Sequence, residues 1–435
     1  MSFDQLGLTA ELLNAVATSG YTVPTPVQEQ AIPAVLQGSD VLAGAQTGTG
    51  KTAAFALPIL QRLMENRPAR TGGGRPVRTL VLAPTRELAA QVRDAFVLFS
   101  RSLPITSTAV FGGVSMYAQV QALRRGVDVV VATPGRLLDH ASQGTIDLSR
   151  VEVLVLDEAD RMLDMGFVKD IRRIIALLPT QRQNLLFTAT FTDEMHRLAG
   201  AILHNPARIE VERTGNPSDL VDQTVYAAHK NDKRDLLVHL LVEKQIGQAL
   251  VFIRTRHGAD RLVKQLQQDG VAAAPIHSNR SQLQRMRALA DFKAGRTRIL
   301  VATDIASRGL DIDQLPFVIN YELPACPDDY VHRIGRTGRA GTPGNAISLV
   351  SREERGHLAG IEVRIRQQIE RSHPVGFSPS AVEEPVAVRE QPRLRTARPA
   401  FQPRSGYRGG PRGATGPQAA YRRTGAGAAQ RDNNR

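Results

Sequence analysis

The stretch Asp40-Val-Leu-Ala-Gly-Ala-Gln-Thr-Gly-Thr-Gly-Lys-Thr-Ala-Ala54 decides the architecture. A short apolar run, Asp40 to Ala43, leads into a glycine-bearing turn, and an apolar helical pattern, Ala53 to Leu63, follows it. Gly48 and Gly50 let the backbone bend so that successive amides point inward. Lys51 can then reach terminal phosphates, and Thr52 can bind magnesium. Ala45 holds the first glycine position of the G-x-x-x-x-G-K-[ST] pattern, so the motif is looser than the strict form. The order of strand, loop and helix is the one this chemistry needs. Ala45, Gln46, Thr47, Gly48, Thr49, Gly50, Lys51 and Thr52 are therefore predicted to cradle the phosphates of ATP.

Working outward, short β-branched runs alternate with helical patterns. Strands are predicted at Asp40 to Ala43, Thr79 to Ala83, Val127 to Ala132, Val151 to Leu156 and Asn184 to Thr188. A second series follows at Ala249 to Ile253, Arg298 to Ala302, Phe317 to Asn320 and Ala346 to Val350. Continuous apolar strands spaced by helices indicate a parallel sheet covered on both faces, here present twice. The Pro- and Gly-bearing segment His204 to Asp219 reads as a linker. The expected division is a first domain over 1–210, a linker over 211–220, a second domain over 221–371 and a tail over 372–435.

The chain has 435 residues, 42% hydrophobic, too long for one ordinary core and too apolar to be a disordered chain throughout. Its net charge of +13 favours an anionic partner, although 48 Arg against seven Lys would also follow from a GC-rich coding bias. The charge is unevenly placed: +9 of it lies in the last 47 residues, which carry eleven Arg, five Pro and only Leu394 and Phe401 from the Leu/Ile/Val/Phe group. Such a segment cannot bury enough apolar surface to offset its ordering entropy, so it is expected to be disordered. Interleaving of its Arg with Phe401, Tyr407 and Tyr421 suits phosphate pairing and base stacking; a solubilising linker is the other reading. The single cysteine, Cys326, excludes an intrachain disulfide framework and any multi-cysteine zinc site. No signal-like start and no span of about 20 apolar residues is visible, so the expected location is the cytoplasm, with no membrane partner.

If the turn binds a nucleotide, a carboxylate element should accompany it. Val151-Glu-Val-Leu-Val-Leu-Asp-Glu-Ala-Asp160 supplies one at the end of an apolar run. Asp157 is the expected magnesium partner, and Glu158 the group that orients or deprotonates an attacking water.

These residues resemble the DEAD-box family of ATP-dependent RNA helicases in superfamily 2, through Asp157-Glu-Ala-Asp160 together with the Ala45 to Thr52 turn. The resemblance covers about residues 1 to 370, with the motifs in family order, and implies two tandem RecA-like domains. Phe3, Tyr21 and Pro24-Thr-Pro-Val-Gln28 resemble the element that reads adenine, whose edge matches the donor and acceptor of the Gln28 amide. Pro84, Thr85 and Arg86, then Gly112-Gly113, then Thr133, Pro134, Gly135 and Arg136 resemble the RNA-backbone contacts of the first domain. Thr188-Ala-Thr190, with Asp160 and His332, resembles the set that couples ATP state to unwinding. In the second half, Thr255, Arg285 and Thr303 resemble RNA contacts, Asp311 a ribose contact, and Arg336 and Arg339 the γ-phosphate fingers. Arg336 and Arg339 would reach that phosphate together if they lay on one helical face.

Two positions depart from the family pattern. Thr188 stands where Ser is usual, which keeps a hydroxyl, and Ser278 replaces the glycine that usually follows His277. The compact start at Phe3 to Leu8 and the Arg-rich tail resemble the bacterial RhlE-type subgroup. Implied cofactors are ATP and Mg2+. Implied partners are structured or duplex RNA and, more remotely, ribosomal precursors or RNA-decay enzymes. An ATP-gated RNA clamp or annealing chaperone would carry the same motifs, and a DNA-translocating helicase is the further alternative.

Overall fold

A computed structural model describes residues 1–45, 48–66, 75–211, 221–307, 312, 315–338 and 343–377. Fourteen strands fall into two seven-stranded sheets among these residues. The first sheet holds β1 (Val41–Gly44), β2 (Thr79–Leu82), β3 (Ser107–Val110), β4 (Val129–Ala132), β5 (Val153–Leu156), β6 (Gln183–Thr188) and β7 (Ala207–Glu210). The second holds β8 (Val221–Ala227), β9 (Ala249–Phe252), β10 (Ala273–Ile276), β11 (Ile299–Ala302), β12 (Phe317–Asn320), β13 (Gly344–Val350) and β14 (Glu370–Ser372). Their spatial orders are β3-β4-β2-β5-β6-β1-β7 and β10-β11-β9-β12-β13-β8-β14, with every pairing parallel. Counted from its own first strand, the second sheet repeats the order of the first. Both are RecA-like units.

The nine expected strands are all present, with ends shifted by at most two residues. These central strands are mostly apolar because both faces are covered, with buried polar residues such as Gln183, Asn184, Asn320 and Ser348 in β6, β12 and β13. In β5, Val153 and Val155 enter one core while Leu154 and Leu156 enter the other. The five strands not expected from the sequence are the four edge strands and β8, which neighbours an edge; of these β10 is apolar but carries Pro275. One of them, β7, corrects the reading of His204 to Asp219 as linker throughout: Ala207–Glu210 pairs with β1. Residues 212–220, which hold most of the expected linker, and the Arg-rich segment from 378 onward lie outside the described residues.

The second unit contains a buried ion pair. Lys233 Nζ donates to the carbonyls of Tyr321 at 2.9 Å and Leu349 at 2.6 Å, and to the Glu354 carboxylate. Glu354 in turn accepts from the amides of Leu323 and Ser351. Burial pushes the Lys233 ammonium down against the pull of Glu354. Burial opposes ionisation of Glu354 too, but Lys233 holds that carboxyl below its ordinary value. Removing one member strands the other, so Lys233→Met is expected to cost about 3 to 5 kcal/mol. Arg254, 3.7 Å from Glu354 and partly exposed, offsets only a fraction. Urea unfolding checks this: the midpoint should fall in Lys233→Met and recover in part in Lys233→Met/Glu354→Gln, which removes the buried charge and keeps an amide oxygen to accept from backbone, and an unmoved midpoint in the single variant would contradict it.

Candidate active site

Loops at the carboxyl ends of parallel strands form the ligand crevice of open α/β sheets. In the first sheet those ends divide by strand order. β5, β6 and β1 are neighbours, and they deliver Asp157-Glu158, Thr188-Ala-Thr190 and the glycine turn. β3, β4 and β2 are also neighbours, and they deliver Gly112-Gly113, Thr133 to Arg136 and Pro84 to Leu88. The second sheet repeats the latter half, with Ser278 after β10, Thr303 after β11 and Thr255 after β9.

The turn after β1 is fastened from three sides. Ala45 N donates to Thr188 O at 2.9 Å, tying it to β6. Thr25 Oγ1 donates to Thr49 O at 2.8 Å, and Gln28 Nε2 donates to Gly50 O at 3.1 Å. Gly48 and Gly50 both have φ of +84°, and a Cβ on Gly50 would sit 2.3 Å from Gln28 Nε2, so glycine is required there. Gln46 and Thr47 lie outside the described residues; Thr52 lies in the first turn of the helix Lys51–Glu65 and is partly buried. The Gln28 amide, expected to read a base edge, is oriented here by backbone: Nε2 donates to Gly50 O and Oε1 accepts from the amide of Thr25, which leaves a second N–H and a second lone pair on the amide. Phe3 is buried, its ring 6.4 Å edge-on from that of Tyr21, so Phe3 supports Tyr21, whose ring is the exposed one.

Behind the turn, Lys51 Nζ and Asp157 Oδ1 are both buried with no hydrogen-bond partner. Burial pushes the Asp157 carboxyl up to about 6, against the pull of Lys51 and with repulsion from Glu158 adding to it. An unspent ammonium beside an unspent carboxylate oxygen fits a polyphosphate and its divalent cation: the first takes phosphate oxygens, and the second joins phosphate in binding the metal. Among the described residues no cluster of three or more His, Cys, Asp or Glu side chains could hold an ion alone. Magnesium would thus be held by Asp157 and Thr52 together with the substrate's own oxygens.

Glu158 sits at φ +51°, ψ +52°, a conformation non-glycine residues seldom hold. Arg161 Nη1 donates to its Oε2 at 2.6 Å. Burial would raise this carboxyl, yet Arg161, Lys51 and Arg336 together keep it below its ordinary value, so it is a carboxylate at neutral pH. Asp160 is the hub toward β6. Its Oδ2 accepts from Ala189 N at 3.0 Å, Thr190 N at 2.9 Å and Thr190 Oγ1 at 2.9 Å, while Thr188 Oγ1 donates to Thr190 O at 2.8 Å. Phe191 closes the loop by covering Gly44, where a Cβ would lie 2.3 Å from its ring.

In the second unit the helix Pro327–Ile334 ends before Arg336, with Gly335 as its cap. This corrects the picture of two arginines on one helical face: Arg336 stands in the following turn, largely buried, and its charge is felt by Glu158. Arg339 and Asp311 lie outside the described residues, and His332 is exposed on the helix. Arg333, not singled out in the sequence, is fully buried. It bonds Asp304 at 2.6 and 2.8 Å, Asn320 at 2.9 Å and Glu322 O at 2.7 Å. Its place between His332 and Arg336, with an acid in Thr303-Asp304, was the available signal.

Thr85, Thr133 and Thr255 each cap a helix, and the hydroxyls of Thr85 and Thr255 accept from Leu88 N and Gly258 N. Helix amino termini of this kind suit phosphate oxygens. Pro134 is buried in the first turn of its helix and Gly135 has open space around it. Arg86 lies across Gly113, whose φ is +79° and whose Cβ would meet the guanidinium at 2.0 Å. Arg136 Nη1 donates to Val114 O at 3.2 Å. Arg285 does not stand open to a ligand: it pairs with Glu87 at 2.9 Å, and Gln282 donates to the same Glu87 oxygen at 3.1 Å. Glu87, also missed in the sequence, thereby links the two units. Thr303 is buried against the end of β10, and Ser278 is exposed.

Known proteins share this arrangement. The DEAD/DEAH box helicase family matches residues 25–198, and the helicase conserved C-terminal domain matches 232–341. The ATP-dependent RNA helicase CshA of Listeria monocytogenes is 40% identical over 85% of this chain and 69% of its own. The DEAD-box ATP-dependent RNA helicase RhpA of Helicobacter pylori is 42% identical over 85% and 73%. The structure of S. cerevisiae Dbp5 bound to RNA and ADP BeF3 superposes with a TM-score of 0.73 at 33% identity, covering 86% of this chain and 95% of that one. Two RecA-like units, a phosphate turn backed by Asp157-Glu-Ala-Asp160 and relatives of this kind make the chain a member of the DEAD-box family, an ATP-dependent RNA helicase.

Proposed function

We propose that ATP and RNA jointly close the two units, corresponding to 1–210 and 221–371 across a linker at 211–220, and that closure bends one RNA strand away from its complement. Asp160 carries this reading. One carboxylate oxygen, two residues from the general base Glu158, holds three groups of Thr188-Ala-Thr190, so a change at the γ-phosphate is passed to β6 through bonds that already exist. In this scheme Lys51 binds phosphate, Asp157 and Thr52 hold magnesium, Glu158 takes a proton from water, and Arg336 with Arg339 faces the leaving charge. Magnesium, when bound, neutralises phosphate charge. Pro84 to Arg86, Gly113, Thr133 to Arg136, Thr255 and Thr303 grip the RNA backbone, which predicts weak sequence preference. Arg285 acts through Glu87.

The expected tail over 372–435 starts too early, since Ser372 belongs to β14 and Phe377 packs on the second unit; its Arg-rich part, 389–435, raises local RNA concentration. Remodelling of ribosomal precursors or assistance to RNA decay, in the cytoplasm, is the corresponding role; among the described residues no helix is long and apolar enough to cross a membrane. The narrower RhlE-type assignment rests on the Phe3 to Leu8 start and the tail alone, and the relatives named above lend it no support. The deciding assay compares RNA with DNA of one sequence as ATPase activators, together with unwinding of a short duplex in a single binding cycle. RNA should stimulate and DNA should not. The chain ending at Val388 should unwind with a flatter salt dependence. Annealing without ATP-dependent strand release would instead favour the clamp or chaperone reading.

A further inference from the structure

Tyr117 has no role in the site described so far, yet its position is unusual. Its side chain is 73% exposed, and among the described aromatic residues only Tyr21, at the nucleotide side, is also exposed. Tyr117 is the second residue of the helix Met116–Arg124, which begins three residues after Gly113. The inner side of that helix is pinned. Gln119 is buried; its Nε2 donates to Phe111 O at 2.9 Å, and its Oε1 meets His140 Nε2 at 3.1 Å. His140 is itself held by Thr145 at 2.8 Å. Two residues correspond to roughly 200° around a helix, so Tyr117 points away from the side that Gln119 anchors. Arg124, seven residues on, returns to the same outer face and is exposed.

We propose that Tyr117 is a base-stacking platform at the edge of the RNA track, with Arg124 pairing the phosphate that follows. This rests on the backbone-gripping role assigned above to Gly113 and Arg136. When loops hold a strand by its phosphates, its bases face outward and are available to a fixed aromatic ring. The helix that carries the ring is fixed in two ways, by the buried Gln119 amide and by Arg136, whose bond to Val114 O secures the entry to the helix. A tyrosine phenol on solvent gains nothing by burial and is not needed to pack the helix. Stacking tolerates any base, so the contact adds affinity without reading sequence, and it favours purines for their larger faces.

The test uses the full chain, a non-hydrolysable ATP analogue and fluorescein-labelled oligoadenylate. Tyr117→Ala should weaken binding by about five- to fiftyfold with an unchanged salt slope, because no phosphate contact is lost. Tyr117→Phe should bind as the parent does, and Tyr117→Leu should bind as the alanine variant does. A single abasic nucleotide walked along the strand should cost affinity at one register in the parent and at none in Tyr117→Ala. Arg136→Ala separates this idea from the reading beneath it, since losing a phosphate contact lowers both affinity and salt slope. A weakened Arg136→Ala beside an unaffected Tyr117→Ala would overturn the stacking platform alone, and would leave Tyr117 as a surface for a protein partner. If neither variant weakens binding, the RNA track itself is misplaced. Equal melting temperatures exclude misfolding as the cause.

Discussion

Glu158→Gln is expected to lower RNA-stimulated ATP turnover by about 10²- to 10⁴-fold while ATP and RNA still bind. The amide is isosteric, can still accept a hydrogen bond from Arg161, and keeps the left-handed backbone at φ +51°. What it cannot do is take a proton. The carboxylate is suited to that task because Arg161, Lys51 and Arg336 offset the burial that would otherwise protonate it. Single-turnover hydrolysis at saturating RNA isolates the step, and direct binding of a labelled ATP analogue shows that the site remains intact. An undiminished rate would remove Glu158 from the chemistry and leave it a structural partner of Arg161.

Arg336→Ala should cost more, about 10³- to 10⁵-fold in the same assay, because charge developing on the transferred phosphoryl group would lose its counterpart from the second unit. Arg336 is largely buried, and its charge already reaches Glu158 across the interface. Arg336→Lys should recover little. A point charge on a flexible stem does not reproduce the planar fork of a guanidinium. Because Arg336 belongs to the second unit and Lys51 to the first, the variant should also weaken the mutual enhancement of ATP and RNA binding. RNA affinity measured with and without nucleotide reads that coupling. A full-rate Arg336→Ala enzyme that still shows coupling would place the finger function elsewhere.

The limits of sequence reading follow burial. Central strands such as β2, β5 and β11 are covered on both faces, so their apolar runs announce them. Edge strands are only half covered, and Ser107–Val110, Ala207–Glu210 and Glu370–Ser372 therefore carry no comparable run. Residues that act through other residues were equally hidden. Glu87 and Arg333 have meaning only once Gln282, Arg285 and Asp304 are beside them. Three-residue spacing suggested a shared helical face for Arg336 and Arg339, but the helix had already ended at Ile334.

By itself the sequence determined the chemistry: a glycine turn before Lys51-Thr52, acids at the end of an apolar strand, and ordered loops elsewhere are local patterns, and local backbone requirements write them directly. Tertiary structure alone decided the division of labour along each sheet. Strand order gathers the loops after β5, β6 and β1 into one group and those after β3, β4 and β2 into another, and the second sheet repeats the order. Parallel strands must be joined by long crossovers, so neighbours in space are distant in the chain, and no local pattern can state which loops will meet.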